Sequence, residues 1–214
     1  KAATSDLNRG TNNICSWSWK AGGSAGTWNK DDVGYASAAA AGLTGGDITP
    51  TGASVGTKQG FSIIKWTGTG SAQSISHGLT QAPNFIILKE ANKDADWSVY
   101  TTVIDGSYDY LALNTTATAN NSSYASPTSS VFTYGATLND TLIGYVWHDV
   151  PGLQKFGVYL GNQNANGNFI ELGFRPKLII CKGTNDGEDW YIRDTERSPD
   201  NPVDNPLRQD AGTE

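Results

Sequence analysis

Apolar and polar side chains alternate along most of the chain, and Gly, Asn and Asp interrupt the alternation at short intervals. An apolar side chain at every second position is typical of a β-strand with one buried face. The pattern predicts strands at residues 61–66, 84–89, 97–100, 108–114, 131–134, 141–147, 156–160, 168–172, 177–182 and 190–194. Short strands at this spacing predict an all-β fold, an antiparallel β-sandwich of jelly-roll type.

The two ends of the chain differ from this regular part. Residues 21–57 are rich in Gly, Ala, Ser and Thr, which predicts a long and weakly structured connection. Residues 197–214 contain several prolines, which cannot donate hydrogen bonds to a β-ladder, so we expect an extended surface arm there. The predicted organisation is an N-terminal arm over 1–58, a β domain over 59–196 and a C-terminal arm over 197–214.

One strand is predicted inside the N-terminal arm, over residues 14–20. Its apolar residues alternate with Ser16 and Ser18, so one face would be buried. A strand on a tether can pair with the edge of its own sheet or with the sheet of a neighbouring subunit. The candidate residues for such a donated strand are Ile14, Cys15, Trp17 and Trp19.

An internal duplication is the most specific signal in the sequence. Residues 79–102 match residues 172–195 at a constant offset and without gaps. The repeated pattern is a proline, an apolar strand that ends at a lysine, a loop with Asn and acidic residues, and an Asp-Trp pair that opens a second strand. This pattern predicts the same β-hairpin twice, and two such hairpins could pack around a pseudo-two-fold core.

Composition limits the partners of the chain. Charged residues make up only 17% of the sequence and the net charge is −6. Proteins that bind nucleic acid usually carry a basic patch, so we expect no nucleic-acid partner. No apolar run approaches the length of a transmembrane helix, so we expect no membrane insertion.

The sequence favours a protein that is not an enzyme. The two histidines, His77 and His148, lie beside turn residues. Cys181 lies in an apolar run and is predicted to be a small buried residue, while a bridge between Cys15 and Cys181 stays open. These residues match neither a hydrolytic triad nor a zinc site.

Acidic residues in the loops of the two repeated hairpins are candidate calcium ligands, because calcium prefers carboxylate oxygens. Their spacing is not that of an EF-hand, and solvated hairpin tips are the favoured interpretation. We therefore expect no cofactor. The candidates are Asp94, Asp96, Asp186, Glu188 and Asp189.

Aromatic residues in loops could stack on sugar rings, although packing in the core or at an interface is the favoured interpretation. The candidates for glycan contact are Trp28, Tyr35, Tyr108, Tyr110 and Tyr124. Four Asn-x-Ser/Thr sequons matter only if the host glycosylates its proteins. They begin at Asn114, Asn120, Asn121 and Asn139.

An ordered series of motifs resembles a domain of unknown function that recurs in tail-fibre and other virion structural proteins of marine and freshwater bacteriophages. The matching stretches are 17–23 (WSWKAGG), 34–43 (GYASAAAAGL), 47–54 (DITPTGAS), 60–64 (GFSII), 77–79 (HGL), 111–115 (LALNT), 127–132 (PTSSVF), 155–157 (KFG), 173–176 (GFRP) and 201–205 (NPVDN). The chain has Gly-Leu-Gln at 152–154 where family members have Gly-Tyr-Ser. The resemblance implies an extracellular or virion-surface module that presents surfaces, trimerises or links end to end.

Two hypotheses follow. The first is a structural protein that assembles with itself into a fibre or filament, through strand pairing by a terminal arm between subunits. The alternative is a receptor-binding module of a tail fibre that recognises cell-surface glycans. Both place the protein outside the cell or on the virion surface.

Overall fold

The computed structural model describes residues 16–164, 166–200 and 206–208. Within these residues the secondary structure consists of strands alone, so no helix there is able to cross a membrane. The strands are β1 Trp28–Lys30, β2 Val33–Tyr35, β3 Gly52–Gly56, β4 Phe61–Thr67, β5 Ala72–Ser76, β6 Phe85–Glu90, β7 Ser98–Thr101, β8 Asp109–Ala112, β9 Asn120–Asn121, β10 Val131–Gly135, β11 Thr141–Trp147, β12 Leu178–Lys182, β13 Trp190–Asp194 and β14 Leu207–Arg208.

A nine-stranded sheet and a two-stranded sheet enclose the main core. The large sheet has the order β2-β1-β3-β4-β11-β6-β7-β8-β9, and β10 pairs with β5 in the small one. All these pairs are antiparallel except β1–β3. Trp66 of the large sheet and Phe132 of the small sheet meet in the core with 5.5 Å between ring centroids. The prediction of an all-β, sandwich-like fold is confirmed.

The segment predicted to be a weakly structured connection is built into the large sheet. Residues 28–56 supply β1, β2 and β3, and the loop between β2 and β3 adds Leu43 and Ile48 to the core. Asp31 and Asp32 link β1 to β2 with φ angles of 52° and 67°. These are the left-handed angles that a two-residue hairpin turn requires. The expectation of a loose arm over this stretch is therefore wrong.

The duplicated hairpin forms twice in the same register, as the repeat predicts. In the first copy Phe85 pairs with Thr101, and in the second Leu178 pairs with Asp194, at the same repeat positions. The third sheet, β12-β13-β14, repeats the order β6-β7-β8. We call residues 61–112 unit 1 and residues 156–208 unit 2. The C-terminal arm thus contributes β14 to unit 2 through Leu207 and Arg208.

Two predicted strands are missing from unit 2. Residues 156–160 and 168–172 have strand-like alternation, yet neither stretch is paired with another strand. Residues 16–20, the described part of the strand predicted at 14–20, also lie outside any strand. A strand needs a neighbour for its backbone groups, and none of these stretches has one among the described residues. These three strand predictions are therefore wrong for the single chain.

Candidate assembly surface and the predicted sites

The N-terminal segment packs against the large sheet without joining it, beside the last residue of the central strand β11 and the turn between β1 and β2. Trp19 meets Trp147 edge-on, with 6.4 Å between ring centroids, and is 47% exposed. Lys20 Nζ is 2.6 Å from a carboxylate oxygen of Asp32. Ala21 is buried beside Trp147. The chain thus contacts the sheet from Trp19 onward, and Trp17 is half-buried. The other two donor-strand candidates, Ile14 and Cys15, lie outside the described residues.

The aromatic residues predicted to contact glycans belong mostly to the core. Tyr108 is 3% exposed, so the expectation of a half-exposed ring is wrong for this residue. Trp28, Tyr35 and Tyr124 are partly buried against the main core. Tyr110 keeps an exposed face. A flat platform of several rings, which sugar stacking uses, is not formed by these five side chains.

Three buried tyrosines and the partly exposed Tyr110 form a packed cluster, with Tyr100 at its centre. The Tyr100 ring centroid lies 5.2 Å from Tyr108, 6.1 Å from Tyr110 and 5.9 Å from Tyr134. Burial raises the pKa of Tyr134 to about 12 and raises the pKa of Tyr100 as well. These hydroxyl groups therefore stay protonated, and the cluster serves as packing.

The predicted calcium ligands do not converge. Asp96 accepts a hydrogen bond from Asn114 Nδ2 at 2.8 Å, and Asp189 faces Arg208 at 3.7 Å. Glu188 accepts from the Tyr191 hydroxyl. The other two candidates, Asp94 and Asp186, are exposed. Across the described part of the chain, no three His, Cys, Asp or Glu side chains are placed to hold a metal ion.

The sequons differ in accessibility. Asn120 and Asn121 form the exposed strand β9, and Asn139 is exposed in a turn with a φ of 67°. Asn114 is exposed, but its side chain already bonds to Asp96 and to the backbone N–H of Trp97. Glycosylation at these positions stays a prediction.

Both histidines bond to the backbone. His77 is fully buried, and its Nδ1 accepts from the N–H of Leu79 while Nε2 lies 3.1 Å from the carbonyl oxygen of Thr128. Burial lowers the pKa of His77 to about 4, which keeps the ring neutral. His148 Nδ1 lies 2.6 Å from the carbonyl oxygen of Asp149. His77 therefore holds the start of the 77–79 turn in place.

Cys181 is half-buried rather than fully buried. Its Sγ lies 3.8 Å from the carbonyl oxygen of Tyr191, its partner on β13. Burial raises the pKa of the Cys181 thiol, so the thiolate is disfavoured. The predicted role as a small hydrophobic residue fits this position, and Cys15 lies outside the described residues.

Unit 2 is attached to unit 1 through one buried tryptophan, one stacked pair of phenylalanines and several polar bonds. Phe156 stacks on Phe85 with 5.4 Å between ring centroids. Trp190 is 5% exposed and packs on Val99 and Leu111. Its Nε1 donates to the carbonyl oxygen of Ala112 at 2.9 Å. Lys182 Nζ donates to the backbone of Glu188 in its own hairpin and to the backbone of Thr116 at 3.1 Å. This attachment covers one end of the second hairpin and leaves most of unit 2 open.

The open part of unit 2 carries seven of the exposed large apolar side chains found among the described residues. Leu160 is 86% exposed and Phe169 is 89% exposed, although both lie in stretches with strand-like alternation. β12 pairs with β13 on one side, and its other edge has no neighbour among the described residues. We call these exposed apolar side chains the unit 2 surface. Its members are Val158, Tyr159, Leu160, Phe169, Ile170, Ile179 and Ile180.

Sequence reasoning recognised these stretches as strands but not as a site. The sequence signal for a site was the continuous apolar run at 178–181, because such a strand is normally covered on both faces. The two strands predicted just before it, at 156–160 and 168–172, belong to the same signal. Several large apolar side chains exposed within one part of the fold are typical of a contact with another molecule. The unit 2 surface is therefore the candidate functional site.

Comparison with known proteins gives a family whose function is unknown. A family model described as Domain of unknown function (DUF7483) matches residues 1–214 of the chain. No curated protein and no solved structure shows a significant match.

Proposed function

The chain belongs to the DUF7483 family, and we propose that it is a structural protein, without enzymatic activity, that assembles with copies of itself. The observation that carries this proposal is the unit 2 surface, with Leu160 and Phe169 almost fully in water. Burying one such side chain contributes about 1.5–3 kcal/mol. Burying several of them together supplies a substantial part of the energy of an interface.

A fibre or filament on a virion or outside the cell is the setting we propose for this assembly. The resemblance of the motifs to those of tail-fibre and other virion structural proteins supports this setting. The net charge of −6 supports partners other than nucleic acid. A second copy of the chain is the partner that the proposal requires.

The alternative, recognition of cell-surface glycans, has weaker support. Of the five aromatic candidates, only Tyr110 presents an exposed ring, and it lies beside the buried Tyr100. A single exposed tyrosine lacks the stacking partner that a sugar platform needs. Self-assembly is therefore the function that the geometry supports best.

Light scattering and electron microscopy of the purified full chain test the proposal. We expect multimers whose mass rises with concentration, and a shift to monomers when Leu160→Glu and Phe169→Glu are combined. A matched control replaces two exposed apolar residues elsewhere, Val33→Glu with Leu138→Glu, and should keep the multimers. A wild-type chain that stays monomeric at every concentration contradicts the proposal.

A further inference from the structure

The repeat shows which strand unit 2 lacks. In unit 1, β11 lies between β4 and β6 and pairs with both. β11 itself belongs to neither unit, because residues 141–147 fall between them. By position in the repeat, β12 corresponds to β6, and residues 156–162, which begin at Phe156 as β4 begins at Phe61, correspond to β4. Among the described residues, no strand occupies the place of β11.

Exposed side chains of unit 2 stand at the repeat positions that flank β11 in unit 1. In unit 1, Ile63 and Ile87 lie on either side of Tyr145, each paired with it across the ladder. All three side chains are partly buried and pack in one cluster. The matching positions of unit 2 are Val158 and Ile180, and both are exposed. A strand that places a large apolar residue between these two would cover them as Tyr145 covers its neighbours.

Residues 14–20 resemble β11 in sequence. Aligned with residues 142–148, they place aromatic residues at the same two positions, Trp17 against Tyr145 and Trp19 against Trp147. A small residue, Ser16, stands where β11 has Gly144. At Gly144 a Cβ atom would lie 3.1 Å from side-chain atoms of the two flanking strands, which explains the small residue there.

The same segment is available for pairing. Residues 16–20 belong to no strand of their own chain. Donation would exchange the contact of the half-exposed Trp19 with Trp147, and the partial burial of Trp17, for contacts in the next copy. The remaining stretches outside the described residues are poor alternatives, because 1–13, 201–205 and 209–214 contain Leu7 and Val203 as their only large apolar side chains.

We propose that residues 14–20 of one copy form the missing strand of unit 2 in the next copy, between residues 156–162 and β12. This inference rests on the proposed function and names its contact. The register of β11 on β6 then places Trp17 opposite Ile180 and Ser16 opposite Cys181. The donor segment and the acceptor site are different surfaces of the same chain, so the contact between copies is head-to-tail. Such contacts build an open chain of subunits unless the chain closes into a ring.

Disulfide trapping in the full chain tests this register. Residues directly opposite in antiparallel strands have Cα atoms about 4.5–5.5 Å apart, which a disulfide spans. The variant Cys15→Ser with Ser16→Cys keeps Cys181 as the only other thiol. On mild oxidation we expect a ladder of covalent multimers on a non-reducing gel, and we expect it to vanish when Cys181→Ser is added. A control with Cys15→Ser and Thr137→Cys, in an exposed turn, should give no ladder.

The outcomes separate the two proposals. If the variant forms multimers by light scattering but gives no ladder above the level of the control, the strand-donation contact is wrong while self-assembly stands. If neither the wild type nor the variant forms multimers, self-assembly itself is wrong. Circular dichroism of each variant, compared with the wild type, shows that the trapped species are folded.

Discussion

Trp97 and Trp190 occupy equivalent positions in the two repeated hairpins, yet the structure predicts different costs for their removal. Trp190 is 5% exposed and donates a hydrogen bond to Ala112, whereas Trp97 is 38% exposed and stacks on Tyr145 at 6.3 Å. Replacing a buried Trp with Ala costs about 3–5 kcal/mol. We therefore expect Trp190→Ala to lower the free energy of unfolding by about 4 kcal/mol, and Trp97→Ala by about 1–2 kcal/mol because part of its ring already contacts water.

Urea unfolding followed by circular dichroism measures both losses. A loss of about 4 kcal/mol is a large part of the total stability of a domain, which is about 5–15 kcal/mol. Trp190→Phe serves as an intermediate variant, because it keeps most of the burial and removes the Nε1 donor, with an expected loss of about 1–2 kcal/mol. Equal losses for the two alanine variants would refute the reasoning that unit 2 is docked through Trp190.

Three further predictions follow from single residues. Burial lowers the pKa of His77 to about 4 from an ordinary value of 6.5. Between these two pH values the unfolded chain binds more protons than the folded chain, so the free energy of unfolding falls by up to roughly 3 kcal/mol as the pH drops from about 6.5 to 4. His77→Gln should flatten this pH dependence of the urea midpoint, and an unchanged pH dependence would contradict the assignment to His77. Gly78 has a φ of +72°, and a Cβ atom there would lie 2.8 Å from Leu43. Gly106 also has a positive φ, but the space around it is open. Gly78→Ala should therefore lower the Tm more than Gly106→Ala does, and equal shifts in Tm would contradict this prediction. Lys89 Nζ donates hydrogen bonds to three backbone carbonyl oxygens of its hairpin loop. Lys89→Met should therefore lower the free energy of unfolding, measured by thermal melting, by about 1–2 kcal/mol. An unchanged free energy of unfolding would show that these hydrogen bonds do not stabilise the fold.

The alternation in the sequence predicted the strands that lie in the middle of the large sheet. β4, β6 and β11 have strong alternation or continuous apolar runs, because both their edges and at least one face are covered within the chain. The duplication predicted even the shared register of the two hairpins. These features depend on local pattern, and local pattern is what the sequence displays directly.

The features that the sequence did not predict depend on pairing partners. β5 is rich in small polar residues and becomes a strand because it pairs along its length with β10. β1 and β2 are three residues each and are joined by Asp31 and Asp32 rather than by the Asn-Gly or Asp-Gly that marks such turns. Conversely, 156–160 has the alternation of a strand but no partner in the chain. Alternation shows that a segment can form a strand, and only the arrangement of its neighbours decides whether it does.

A mixing experiment tests the central claim most directly. Ser16→Pro with Ser18→Pro disables the donor strand, since proline cannot donate to the ladder, while Val158→Arg with Ile180→Arg disables the acceptor. We predict that each variant alone is monomeric by light scattering. An equal mixture should give dimers and nothing larger, because only one intact donor strand and one intact acceptor site are present in each pair of chains. A mixture that stays monomeric, or a single variant that still forms multimers, would contradict strand donation between copies.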